Sequence, residues 1–146
     1  MDEALQALRK MHNMERFAVE IYSTQIGAFS EKEIADRLRA AMANEQEHVN
    51  DLQARIGELG GSSSWLGFLF QMAGKLLGFT SPLLGKVFLL KADIRLERRA
   101  VKDYGNFLQK VDFDEKSRVV IQKNIEDEKA HIKRWEESLE ILYAQR

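Results

Sequence analysis

Glu45-Gln46-Glu47-His48 and Glu128-Lys129-Ala130-His131 are the two stretches whose reading decides the fold of this chain. Each places a Glu three residues before a His. Around the first, Ile34, Leu38, Ala41, Glu45, His48, Leu52 and Ile56 recur at steps of three and four. Around the second, Ile121, Ile125, Glu128, His131, Trp135, Leu139 and Leu142 do the same. That spacing is one face of a bundle helix. Both motifs therefore sit on the inward seam, where a bundle ordinarily carries Leu.

Two further helices follow from the same period. Leu5, Leu8, His12, Glu15, Val19, Tyr22 and Ile26 form one seam; Leu83, Val87, Leu90, Ile94, Glu97, Val101, Tyr104 and Leu108 form the other. Met14 to Tyr22 aligns with Leu96 to Tyr104, sharing Glu, Arg, Ala, Val and Tyr at equivalent places. A shift larger by one residue lays Glu45-x-x-His48 on Glu128-x-x-His131. Each half thus carries a Glu on its first helix and Glu-x-x-His on its second. Helical composition alone makes weak self-similarity common, but this repeat preserves the ionisable seam positions.

The breaks between helices are legible. Gly27 to Ser30 ends the first helix, and Ser30-Glu31-Lys32-Glu33 predicts a capping box in which Glu33 reaches back to the Ser30 N–H. Gly60-Gly61 and three serines stop the second helix. Ser81 as N-cap with Pro82 behind it predicts the start of the third. Asp112-Phe113-Asp114-Glu115 predicts the start of the fourth. The chain of 146 residues, with a single Pro and few β-branched runs, is expected to be all-α and one domain spanning 1–146. Its helix pairs are 2–59 and 82–143, joined by a crossover over 62–81. A bundle helix is about 39 Å long and extended chain covers about 3.3 Å per residue, so the connector can cross the whole bundle. That is the one-crossover, ferritin-like arrangement of a four-helix bundle.

Trp65 to Leu90 is unusually apolar, with only Lys75 and Lys86 charged. Thr80-Ser81-Pro82 and the glycine spacing break it, which argues against a membrane span; Gly74-x-x-x-Gly78 fits the small-xxx-small pattern, but Lys75 within it weakens that signal. A lid over the core, a homodimer interface and peripheral membrane contact remain open for it.

Composition excludes several classes of chemistry. No Cys means no disulfide, thiolate zinc site, iron–sulfur cluster or cysteine nucleophile. A formal net charge of −1 gives no field for nucleic acid. The amino terminus lacks the basic and apolar regions of a signal peptide, which predicts a cytoplasmic protein, with the inner membrane face as a place of peripheral contact. No dinucleotide-binding fingerprint is present, so a redox cycle needs an external electron donor.

Six ionisable groups occupy the seam: Glu15, Glu45, His48, Glu97, Glu128 and His131. Burying carboxylates without partners costs several kcal/mol each. Two Glu-x-x-His pairs with one Glu on each remaining helix match a dinuclear carboxylate site, the alternative being a buried ion network. Positions i and i+3 point the same way, so a Glu can bridge two ions while the His holds one. Four carboxylates balance two divalent ions; the donors suit two iron ions, with manganese or zinc able to take their place.

Tyr22 and Tyr104 follow Glu15 and Glu97 by two turns and are candidates for a supporting or redox role, or else core aromatics. His12 either orients a carboxylate, faces a substrate or caps the core edge. Asp93 either holds a ligand His in its tautomer or is exposed. Trp135 reads as core, and Arg16 and Arg98 as ion-pair partners or surface charges.

Several stretches carry a family resemblance: His12-x-x-Glu15 followed by Ile21-Tyr22-x-x-Gln25, the crossover ending Leu83-Leu84-Gly85-Lys86, Glu97 followed by Tyr104-Gly105-Asn106, and the two Glu-x-x-His pairs. Together they resemble the demethoxyubiquinone hydroxylase family within the ferritin-like di-iron proteins. The chain departs from that family's pattern at Asn13-Met14 and at Asp103. The resemblance implies that Glu15, Glu45, His48, Glu97, Glu128 and His131 ligate iron. It also implies that the apolar crossover helps form a quinone pocket and a membrane-facing surface. The expected function is O₂-dependent hydroxylation of an apolar, quinone-like small molecule. Glu128-x-x-His131-x-x-Arg134-Trp135 also resembles rubrerythrin, which implies the alternative of a peroxidase or oxidase acting on peroxide. A non-enzymatic iron-binding protein is the third reading.

Overall fold

In a computed structural model, residues 2–64, 66–80 and 84–145 are described, apart from the side chains of 68, 70 and 76–80 in one helix. The described residues contain no strand. They form α1 (Asp2–Gln25), a 3₁₀ turn (Ile26–Ala28), α2 (Lys32–Glu58), α3 (Leu66–Thr80), α4 (Lys86–Lys110) and α5 (Glu115–Ala144). The protein is an all-α, ferritin-like helical bundle.

The helix ends show which capping readings hold. Asp114 is the N-cap of α5, and its carboxylate accepts from the Ser117 N–H at 2.8 Å. Arg55, near the end of α2, donates to Asp114, to Glu58 and to Ser117 Oγ, tying that end to the start of α5. Gly60 takes φ +75° just past α2, and the Gly61 N–H returns to the Ile56 carbonyl, which closes the helix. The capping box at Ser30 does not form. Glu31 is the N-cap, without a side-chain cap bond, and Glu33 is taken by Arg37 one turn ahead at 2.6 Å. Lys86 draws off both remaining side chains, donating at 2.9 Å to Ser30 Oγ and to the Glu31 carboxylate. The cap expected at Ser81-Pro82 lies outside the described residues. Gly85, the N-cap of α4, takes φ +89°, outside the helical range, and α4 begins at Lys86.

The seam residues separate into two apolar clusters with a polar layer between them. One contains Ala18, Tyr22, Leu38, Leu90, Ile94, Trp135 and Leu142. The other contains Leu8, Met11, Leu52, Ile56, Tyr104, Ile121 and Ile125. Along α1 and α5 the second cluster comes first; along α2 and α4 it comes last. The helices of each pair therefore run antiparallel. Glu15, Glu45, His48, Glu97, Glu128 and His131 fall between the clusters on all four helices. Water is excluded from that layer at both ends.

α3 is the crossover, and it packs against α1. Glycines make the approach possible: a Cβ at Gly74 would stand 3.0 Å from the Phe17 carbonyl oxygen, and one at Gly67 would stand 2.8 Å from Asn13 Oδ1. Gln71, on the same face, accepts from Arg16 at 2.6 Å and donates to Glu20 at 2.9 Å. Leu66, Leu69 and Met72 are left exposed on α3, and Leu84 and Phe88 at the α3–α4 junction. Among the described residues, no helix is long and apolar enough to cross a membrane.

Candidate metal centre

Each of the four long helices delivers its seam carboxylate to the middle of the bundle. The six residues picked out by spacing are brought together there, all buried. They form two groups able to hold an ion: Glu15, Glu45, His48 and Glu128, and Glu45, Glu97, Glu128 and His131. Glu45 and Glu128 belong to both.

Distances show how the sharing works. His48 Nδ1 lies 3.2 Å from Glu45 Oε2 and 3.1 Å from Glu128 Oε1. His131 Nδ1 lies 3.0 Å from Glu45 Oε1 and 3.3 Å from Glu128 Oε2. Each of these two carboxylates therefore offers one oxygen to each imidazole. Glu15 and Glu97 each serve one side, at 3.7 Å from His48 Nδ1 and 3.4 Å from His131 Nδ1.

The contacts are close but poorly aligned. Glu45 Oε1, both Glu128 oxygens and His131 Nδ1 are buried with no partner in hydrogen-bond geometry. Orphaned buried acceptors of this kind are costly as a hydrogen-bond network and suit a set of metal donors. Oxygen and imidazole together fit iron, manganese or zinc.

The electrostatics describe a site held together by protons. Burial, followed by the charges of Glu15 and Glu97, pushes the Glu45 carboxyl up to about 8. Burial also raises Glu97, reinforced by Glu128. Burial opposes ionisation of Glu15 too, but hydrogen bonds from His48 and Glu45 outweigh it and hold Glu15 below the usual range. Burial disfavours charged imidazoles, yet the surrounding carboxylates override it and raise both His48 and His131. The carboxylates therefore favour the protonated form of both imidazoles.

The two tyrosines support the opposite half of the repeat. Tyr104 Oη on α4 donates to Glu15 Oε1 on α1 at 2.6 Å, and Tyr22 Oη on α1 donates to Glu97 on α4. Burial, then nearby carboxylates, raises both phenols far above their ordinary value, so they remain donors. Trp135 is core, as expected, and also donates to Tyr22 Oη at 3.3 Å with ring centroids 5.5 Å apart.

Other candidates fall elsewhere. Asp93 is buried but holds no histidine; its Oδ1 accepts from Gln25 Nε2 at 2.9 Å, and burial keeps its carboxyl protonated far above the usual range. His12 is buried with both ring nitrogens unpartnered, and burial lowers its pKa. Arg98 pairs with Glu136 on the surface. The residue that spacing missed is Asp127, whose Oδ2 accepts from His48 Nε2 at 2.9 Å. It adjoins Glu128 but points off the seam, and its partner lies on another helix.

The model of the family described as "Ubiquinone biosynthesis protein COQ7" matches residues 2–141. A relative, the 3-demethoxyubiquinol 3-hydroxylase of Dechloromonas aromatica (strain RCB), is 30% identical over 125 residues. That match covers 85% of this chain and 60% of the relative, so the chain spans less than two thirds of that hydroxylase. The family match runs through all four seam helices and the crossover between them. On that extent, the chain belongs to the ubiquinone biosynthesis protein COQ7 family.

Proposed function

We propose that the protein is a dinuclear-iron hydroxylase of an apolar quinol, of the kind named for its relative from Dechloromonas aromatica. The observation that carries this reading is the pair of buried donor groups sharing Glu45 and Glu128. Family membership favours it over the rubrerythrin alternative. In this reading Glu15 and His48 would hold one ion and Glu97 and His131 the other, with Glu45 and Glu128 available to both. Two bound iron ions would supply activation of O₂, reduced by the external donor's electrons, for insertion of one oxygen atom into the ring.

The chain's own residues do the rest. Tyr104 holds Glu15 Oε1, the oxygen turned away from His48, and Tyr22 holds Glu97 Oε1, the oxygen that also faces His131, which fixes both carboxylate rotamers. The two apolar clusters keep bulk water from the polar layer. The domain spans 1–146. No electron-carrying group is implied by its motifs, so electrons come from an external donor.

The apolar surface supports contact with a membrane in which a quinol would reside. Leu69, on the crossover helix, is 49% exposed and Phe88, in the first turn of α4, 50% exposed. Peripheral docking needs no spanning helix. Leu69→Glu combined with Phe88→Glu is expected to weaken liposome binding in a flotation assay by at least about tenfold, since each lost apolar contact is worth roughly 1.5–3 kcal/mol. Unchanged flotation would assign the apolar face to something other than lipid.

The deciding experiment supplies iron-loaded protein with a short-tailed demethoxyquinol, O₂ and a chemical reductant, and follows the hydroxylated product by mass spectrometry. Incorporation of ¹⁸O from O₂ into the ring is the expected result. Peroxide turnover without ring hydroxylation would overturn the reading.

A further inference from the structure

We propose that the two metal positions are unequal and fill in order, the Glu15–His48 position first, with Asp127 as the positioning residue that sets the order. This rests on the reading of the six seam residues as ligands, and concerns how the two halves of the repeat differ.

The repeat is faithful at the donors. Glu15 matches Glu97, Glu45 matches Glu128, His48 matches His131 and Tyr22 matches Tyr104. It breaks immediately before the bridging Glu, where α2 carries Asn44 and α5 carries Asp127. Asp127 Oδ2 accepts from His48 Nε2 at 2.9 Å, on the ring nitrogen facing away from the carboxylate cluster. Asn44 does not perform the reciprocal service for His131. Its Nδ2 turns instead to Asp127 Oδ2, at 3.4 Å. The position that symmetry would give to His131 thus helps steady the partner of His48. Among the described residues, every carboxylate near His131 meets it through Nδ1, and none meets Nε2.

An imidazole that ligates through Nδ1 carries its proton on Nε2. Donating that proton to a carboxylate fixes the tautomer and ring angle and strengthens the donor lone pair; loss of such a partner typically costs 10–100-fold in metal affinity. Among the described residues His48 has a carboxylate in that place and His131 has none. The first ion therefore goes to the Glu15–His48 side. The second enters a position where the bridging oxygens are already engaged and the imidazole is unassisted.

The test is an anaerobic calorimetric titration of the metal-free protein with Co(II), with the visible absorption of each step recorded. Wild type should show two steps whose affinities differ by roughly 10–100-fold. Asp127→Asn should weaken the tighter step by a similar factor, bring the two together and change the spectrum of the first equivalent. Glu126→Gln removes the same unit charge one residue away, from an exposed side chain paired with Lys129. It should leave both steps unchanged. Circular dichroism checks that both variants keep their helices. Two indistinguishable steps in wild type, or an Asp127→Asn loss that is absent, equal at both steps or confined to the weaker one, would overturn the ordering alone. No cobalt uptake by folded wild type would overturn the ligand reading itself.

Discussion

Glu45→Ala, and separately Glu128→Ala, is expected to reduce iron from two ions to at most one per chain and to bring hydroxylation to background. The reason is the sharing at the centre of the site. Each of these carboxylates sends one oxygen toward His48 and the other toward His131. Removing either takes a donor from both positions at once, whereas Glu15→Ala or Glu97→Ala takes one from a single position. The loss should exceed the 10–100-fold typical of an outer partner, because a direct donor is gone. Charge works in the same direction: three carboxylates no longer neutralise two divalent ions in a layer closed off by apolar clusters. The measurement is metal content per chain after loading with ferrous iron, alongside circular dichroism. Two irons retained by either variant would show that the bridging assignment is wrong.

The gathering of these six side chains is readable from sequence for a physical reason. A helix converts spacing into direction, so a Glu and a His three residues apart must share a face. Four amphipathic stretches with an ionisable group at the same depth can satisfy those groups only by gathering them. Partners across helices obey no such rule. Asp127 reaches His48 from a sequence separation of 79 residues, and nothing near residue 127 in the sequence announces it. Asp93 fails in the opposite direction. Its position one turn before Glu97 suggested a histidine partner, but Gln25 on α1 is what faces it. The Ser30 box was undone by competition for its side chains from Lys86 and Arg37, which are adjacent only once the chain has folded. The crossover glycines show a third limit. The sequence places several glycines in the crossover, but it takes the folded chain to show that Gly67 and Gly74, seven residues apart, meet α1.

In the metal-free protein Glu45→Gln is expected to have the opposite effect, raising stability at pH 8 by a few kcal/mol on the order-of-magnitude scale of pKa linkage. Burial and the charges of Glu15 and Glu97 keep the folded Glu45 carboxyl protonated up to about 8, against 4.5 ordinarily. Between those values the folded state binds a proton that the unfolded state has lost. Stability from this group is therefore complete below about pH 4.5 and falls away as pH rises through about 8. A glutamine is neutral throughout, so its fold carries no such loss. His48 and His131, raised by the carboxylates, contribute stability that is complete below their ordinary value and falls away progressively as pH rises above it, and both remain in either variant. Urea unfolding with chelator, at pH 5 and pH 8, isolates Glu45 as the difference between the two proteins. A difference that stays constant between the two pH values would show that Glu45 is not the carboxyl holding the proton. In the loaded protein the same substitution removes the ionised bridge and should weaken both ions. One residue then destabilises the empty bundle at the pH where its charge is needed to bind metal. This conflict is expected of a buried carboxylate retained for binding, since a purely structural bundle would do better with a neutral side chain there.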